Sequence, residues 1–341
     1  MAAVMTMGGD PEVFLFDRGK QLMVPSCGRI PDAAKGKPKQ FKIKKAKMEI
    51  GVLEDNVTLE FNFAPIKDAS EIRPVVQAIH AFPVEHLGPE MMAYCCPEWS
   101  FMPNTLAAHP GANVFGCSAD LDAHAGGAIH PPITQKYLQD VGLKNHRFAG
   151  GHVHLGIDPW PDIPKHIAVQ FLDLFIGIPN RAKEARLYGK SHRDSLYGRL
   201  GNYRETSYGI EYRTPSNYWA SDTGSAEEMY LSLQAFGELL LRYDVSKKML
   251  TQAYNSIDWV GGGFTSNGMK EMMRHLEQHG LTQYCGALLR GYSGSKVGME
   301  PMNWFIRGNP AGEQINILDD IVPAEMEPEG EEEPEEEDEE E

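Results

Sequence analysis

"AGGHVHLGID", residues 149–158, decides how this chain is read. Two histidines, His152 and His154, stand two apart behind a glycine pair and inside an apolar run. In a strand, residues two apart share a face, so both imidazoles look into one cavity or onto one surface. An isolated HxH pair is more often structural than ligating; carboxylates and arginines on neighbouring strands would reverse that reading.

Such neighbours are present. "EVFLFD" at 12–17 is a short apolar and aromatic segment read as a buried strand that ends in a turn at Arg18-Gly19. "NVTLEFNFAP" at 56–65 alternates Val57, Leu59, Phe61 and Phe63 against Thr58, Glu60 and Asn62. "YRETSYGIEYRTPSNYW" at 203–219 alternates Ile210 and Tyr212 against Glu211 and Arg213. Helices are expected at 67–82, capped by Asp68 or Ser70, over the stretch holding Ile167 to Ile178, and from about 225, where Ser225 and Glu228 can form a capping box. A further helix is expected at 268–279. Strands with ordered polar faces, separated by helices of varied length, predict an α+β fold with a largely antiparallel sheet and helices on its outer face.

Composition sets bounds. The 341 residues, 42% hydrophobic, suffice for a sizeable core. Five cysteines, including the adjacent Cys95 and Cys96, show no metal-ligand spacing, so reduced thiols in a cytoplasm are expected. No secretion signal or membrane span is read; "HIAVQFLDLFIGIP" is interrupted by Gln170 and Asp173. The net charge of −16 is uneven: thirteen acidic and no basic residues lie between Glu325 and Glu341, leaving the rest nearly balanced. Residues 1–322 are therefore read as the folded domain and 323–341 as a disordered polyacidic tail that favours solubility, with a basic protein as its alternative partner. The lysine-rich "KGKPKQFKIKKAK" at 35–47 reads as a mobile hairpin or lid rather than a phosphate site, and nucleic acid is not an expected partner.

Placed on one sheet, the polar faces converge: Asp10 and Glu12 in "GGDPE", Glu54, Asp55, Glu60 and Asn62 in "EDNVTLEFN", the two histidines, then Glu211 and Arg213. Oxygen-rich acids suit Mg²⁺ with a substrate phosphate, and Arg199, Arg204 and Arg213 supply the complementary planar donors. Each element alone has a structural explanation: "DPE" as a turn, Glu60 as an outward strand residue, Glu211 and Arg213 as an exposed ion pair. Their conjunction points to metal–nucleotide chemistry. No P-loop, dinucleotide fingerprint or GxSxG elbow is found; "VGGGF" at 260–264 reads as a hinge or turn, and Cys117 as a structural thiol.

In the order "GGDPEVFLFD", "EDNVTLEFN", "FGCSADLDAH", "AGGHVHLG" and "RLGNYRETSYGIEYRTPSNYW", the chain resembles the phage-type COOH-NH2 ligase type 2, or amidoligase, family of the glutamine synthetase and glutamate–cysteine ligase superfamily. The resemblance implies a glutamine synthetase-like catalytic fold, whose curved sheet lines a chamber for ATP and Mg²⁺. It implies metal ligation by Asp10, Glu12, Glu54, Glu60 and Glu211. It further implies phosphate or nucleotide contacts from Arg199, Arg204 and His152, and catalytic roles for Glu60, His154 and Arg213. Either histidine is a candidate for the phosphate side, the other facing the acceptor substrate. The implied reaction joins a carboxylate to an amine through an acyl phosphate, on a peptide, protein or cell-wall-like substrate in an infected host cytoplasm. A catalytically idle scaffold or virion-associated binding protein of the same fold is the alternative, and an amine-independent phosphohydrolase a third. The ammonia- and glutamate-site features of glutamine synthetases are not recognisable, and the sequence leaves substrates and any homo-oligomer open.

Overall fold

The computed structural model describes residues 3–33, 36–113, 120–130, 132–189, 191–196 and 198–242, with the short pieces 251, 257–258, 263–265, 274 and 314–315. The expected helix at 268–279, the polyacidic tail, Cys117 and Cys285 lie outside these residues, apart from Arg274.

In chain order the strands up to residue 212 are β1 (Val4–Asp17), β2 (Leu22–Val24), β3 (Lys39–Ile43), β4 (Met48–Asp55), β5 (Thr58–Asn62), β6 (Met91–Tyr94), β7 (Glu98–Ser100), β8 (Asp120–Asp122), β9 (Ala128–His130), β10 (His146–Phe148), β11 (Gly151–Asp158), β12 (Asn202–Glu205) and β13 (Gly209–Tyr212). The helices are α1 (Ile72–Phe82), α2 (Pro103–Ala107), α3 (Gln135–Asp140), α4 (Lys165–Leu172), α5 (Ile178–Tyr188), α6 (Arg193–Leu196) and α7 (Thr223–Leu240). Among the described residues, eleven strands form one antiparallel sheet in the order β3-β4-β5-β1-β11-β13-β12-β8-β9, with β2 and β6 pairing on β1. The α+β class and the antiparallel sheet are as expected. No described helix is long and apolar enough to cross a membrane.

The central strand β1 is longer than its sequence suggests. "GGDPE" is not a turn: residues 4–11 pair with β11 in register from Val4↔Asp158 to Pro11↔Gly151, and Glu12↔Glu60 and Val13↔Leu59 pair with β5. One strand thus delivers acids to both neighbours. Gly9 permits this, because a Cβ there would lie 2.6 Å from the Tyr230 hydroxyl and 2.8 Å from the His152 carbonyl.

One face of the sheet is apolar. Met7, Val13, Leu59, Val153, Leu155, Ile210 and Tyr212 pack against Val75, Val76, Ile79, Phe171, Leu233 and Phe236 of α1, α4 and α7 in a single core. The stripe Met229, Leu233, Phe236 and Leu240 of α7 is buried as its helical spacing predicts. Its cap differs from expectation: Asp222, not Ser225, is the N-cap, accepting from the Gly224 and Ser225 N–H groups at 2.8 and 2.9 Å. At α1 the entering 3₁₀ turn is closed by an Asp68–Glu71 capping box.

Residues 36–47 form an edge hairpin whose turn is tethered, with Glu85 accepting from the Lys44 and Lys45 N–H groups at 3.1 and 3.3 Å. Its lysines charge a sheet edge, which discourages edge pairing. Part of "VGGGF" is strand: Gly263–Thr265 pairs with Ile257–Asp258 and Gln314–Ile315.

Candidate active site on the polar sheet face

Opposite residues in an antiparallel pair share a face, so the registers Asp10↔His152, Gly8↔His154, His154↔Glu211 and Arg204↔Glu211 put these side chains on the side away from α1 and α7. His152 is buried, with Nδ1 3.0 Å from Asp10 Oδ1, 3.7 Å from Glu211 Oε1 and 3.1 Å from Arg213 Nη1. His154 is half-buried; its Nε2 faces Asp10 Oδ1 at 3.6 Å and its Nδ1 meets the Tyr208 hydroxyl at 3.1 Å. Tyr208 also lines a cavity of about 560 Å³, along with Thr6, Gly156, Trp160 and Lys165. The HxH pair therefore differs in setting: His152 is locked among charges, and His154 meets a tyrosine that lines the cavity.

Two clusters of ligand atoms lie side by side along β1. Asp10, His154 and Glu211 form one, and Glu12, Asp55 and Glu60 the other; in each, the ligand atoms lie within 4.8 Å of one another. Burial, and then the carboxylates of Asp55, Glu60 and Asp10, push the Glu12 carboxyl up to about 8, despite a 2.8 Å hydrogen bond from the Gly150 N–H. Three buried or half-buried acids with their ligand atoms so close fit a hard divalent cation. In the other cluster, burial disfavours charge on Asp10, yet His152 and His154 hold its carboxyl well below the usual range. Burial and Arg213 keep His152 low; His154 is raised, Asp10 and Glu211 outweighing its burial.

The arginines are not equivalent. Arg213 is buried, in contact with Glu211 and with its Nε 2.8 Å from Asp120 Oδ1. Arg204 is more open, reaching Asp120 at 3.3 Å and Glu211 at 3.5 Å. Arg199 is exposed just before β12, where its backbone carbonyl accepts the Thr214 hydroxyl at 2.7 Å.

Glu54 is also displaced from its expected role. In β4 it pairs with Leu59, and so belongs to the face opposite Glu60, where its carboxylate accepts the Gly28 and Ile30 N–H groups at 2.9 and 2.5 Å. Asp55, one residue on, takes the place assigned to Glu54, because the strand period is two. Sequence reasoning also missed Asp120, buried between two arginines, and Tyr208. Both sit in quoted motifs, but nothing local distinguishes them. Asn62 shares the face of Glu60, and its amide donates to Glu60 Oε1 at 3.1 Å.

The glycine pair and "TPSNYW" brace this face. A Cβ on Gly151 would overlap the Ser216 carbonyl. Trp219 Nε1 donates to the Gly151 carbonyl at 2.8 Å, the Asn217 amide to the Glu12 carbonyl at 2.6 Å, and the Tyr230 hydroxyl to the Gly8 carbonyl at 2.8 Å.

Fold and site together define an α+β protein whose antiparallel sheet presents paired acid clusters, two histidines and two arginines on one face. Residues 142–269 match the family described as phage phiEco32-like COOH.NH2 ligase-type 2, named for joining carboxyl to amine. The resemblance read from the sequence holds over that segment, which contains the "GGHVHLG" and "GIEYR" strands and continues past residue 260; the acid strands β1, β4 and β5 precede it. No curated protein matches the chain.

Proposed function

We propose that this chain is an ATP-dependent carboxylate–amine ligase, an amidoligase working through an acyl phosphate. The observation that carries the reading is the adjacency of the Glu12–Asp55–Glu60 and Asp10–His154–Glu211 clusters, with Arg204 and Arg213 on the same face. Glu12, Asp55 and Glu60 would hold the nucleotide's Mg²⁺, and Asp10 and Glu211 a second ion. When bound, Mg²⁺ neutralises phosphate charge and aligns the γ-phosphoryl group.

The chain's own groups do the rest by positioning and electrostatics. Arg204, the more open guanidinium, contacts the transferring phosphoryl oxygens; Arg213, behind it, holds Glu211, Asp120 and His152 in place. A substrate carboxylate oxygen bonds to the γ-phosphorus as the bond to ADP breaks. The amine nitrogen then attacks the acyl carbon, phosphate leaves, and the amine proton passes to Glu60 or to His154, whose Tyr208 partner lines the adjoining cavity. A peptide, protein or cell-wall-like carboxylate is the substrate class we favour, with an infected host cytoplasm as the setting.

The test is ADP formation by purified protein with Mg²⁺ and pooled amino acids, peptides and polyamines, alongside His154→Ala. Turnover that needs both a carboxylate and an amine, and falls at least about 100-fold in the variant, is expected. Turnover with water alone as acceptor would replace the ligase by a phosphohydrolase, and absence of nucleotide binding would leave the scaffold reading.

A further inference from the structure

A second constellation lies on the small β7–β10 ribbon. Phe148 pairs with Glu98 and His146 with Ser100, so Glu98 and His146 are diagonal neighbours on one face. His192 approaches from the turn before α6. That turn is anchored by the adjacent Arg193, which is fully buried and donates to the carbonyls of Thr214 at 2.7 Å, Pro215 at 2.8 Å and Arg213 at 3.2 Å.

The Glu98 carboxylate is oriented rather than loose. Its Oε2 accepts from Ser191 Oγ at 3.1 Å and the His192 N–H at 2.9 Å, which turns Oε1 toward both imidazoles. Oε1 lies 3.0 Å from His192 Nδ1 and 4.0 Å from His146 Nδ1, with the two rings 5.3 Å apart at 76°. The three ligand atoms lie within 4.8 Å of one another. His146 Nδ1 is buried and, apart from Glu98 Oε1 at 4.0 Å, has no hydrogen-bond partner among the described residues.

We propose that Glu98, His146 and His192 form a binding site for a divalent transition metal, with zinc the best match. Two imidazoles and a carboxylate are a zinc donor set, whose ligand atoms lie about 3.3 Å apart around a tetrahedral ion, a spacing that small side-chain rotations reach from here. The mix of nitrogen and oxygen donors separates this site from the all-oxygen Glu12–Asp55–Glu60 cluster. His192 is exposed, so an ion has a route in and a fourth position for water. Bound metal would clip the ribbon to the turn whose Arg193 supports the backbone of Arg213. The proposal does not depend on the ligase reading.

Its test is zinc binding by the full chain in millimolar Mg²⁺, read by competition with a chromophoric chelator, for wild type, His146→Gln and Glu98→Gln. One zinc equivalent weakened about 100-fold or more in both variants, and retained in His154→Ala, is expected. Anomalous scattering from zinc-soaked wild-type crystals supplies a second readout that needs no variant, with a peak expected among the three side chains. Zinc binding unchanged in both variants, or crystals with no peak there, would overturn the site.

Discussion

Asp10 shows how few residues set the chemistry here. It sits between the two imidazoles of the HxH strand, and its neighbour on the same face, Glu12, belongs to a different cluster. The clearest residue-scale contrast is Glu54 against Asp55, adjacent in sequence and opposite in face. Asp55→Asn is expected to lower Mg²⁺-dependent kcat/KM at least about 100-fold, as removal of a preorganised charge does. Glu54→Gln should leave turnover near wild type and cost about 1–2 kcal/mol of stability, since it weakens two charge-assisted backbone hydrogen bonds. Steady-state kinetics and urea unfolding of the two variants separate the roles; equal kinetic losses would erase the distinction.

At the scale of elements, two devices hold the helices that support the sheet. The Asp222 cap of α7 predicts that Asp222→Ala lowers stability by about 1 kcal/mol, with Ser225→Ala costing less. A urea series ranking Ser225→Ala as the worse variant would contradict that assignment. The second device is the π-helical turn Asp173–Gly177 between α4 and α5. Its buried Asp173 accepts from the Tyr212 hydroxyl, from the Gly201 N–H at 3.0 Å and from His124 Nε2 at 2.7 Å. Burial opposes charge on His124, but the bonds and charges of Asp173 and Asp122 outweigh it and raise the imidazole above 6.5. A raised histidine binds more protons folded than unfolded. Its contribution is complete below about pH 6.5 and is lost as pH rises through the folded value. Melting temperature followed from pH 6 to 9 should therefore decline more in wild type than in His124→Gln; parallel curves would show that the pair does not titrate with folding.

Over the whole molecule, the sheet separates stability from chemistry. Its helix face is an apolar core, and its other face gathers charge that is tolerable only because acids, histidines and arginines are interleaved. Gly151 joins the two functions, since β11 passes so close to Ser216 that a side chain has no room. Gly151→Ala is expected to destabilise by about 1–3 kcal/mol and to depress turnover more than a surface variant of equal stability, because the displaced strand carries both histidines. Full activity at wild-type stability would show that the contact is not limiting.

The sequence by itself determined the α+β class, the alternating strands around Glu60, His152, His154 and Glu211, the α7 stripe and the resemblance to a carboxylate–amine ligase family. All of these follow from periods of two and 3.6 residues or from motifs read in order, which are local properties. Only the tertiary structure decided that "GGDPE" continues β1, that Asp55 rather than Glu54 shares the face of Glu60, that Asp120 and Tyr208 join the cluster, and that Glu98, His146 and His192 meet. Those outcomes depend on register and on contacts between segments far apart in the chain, such as Val4 with Asp158 and His192 with Glu98. Strand pairing and core packing fix such distances, and no single segment encodes them.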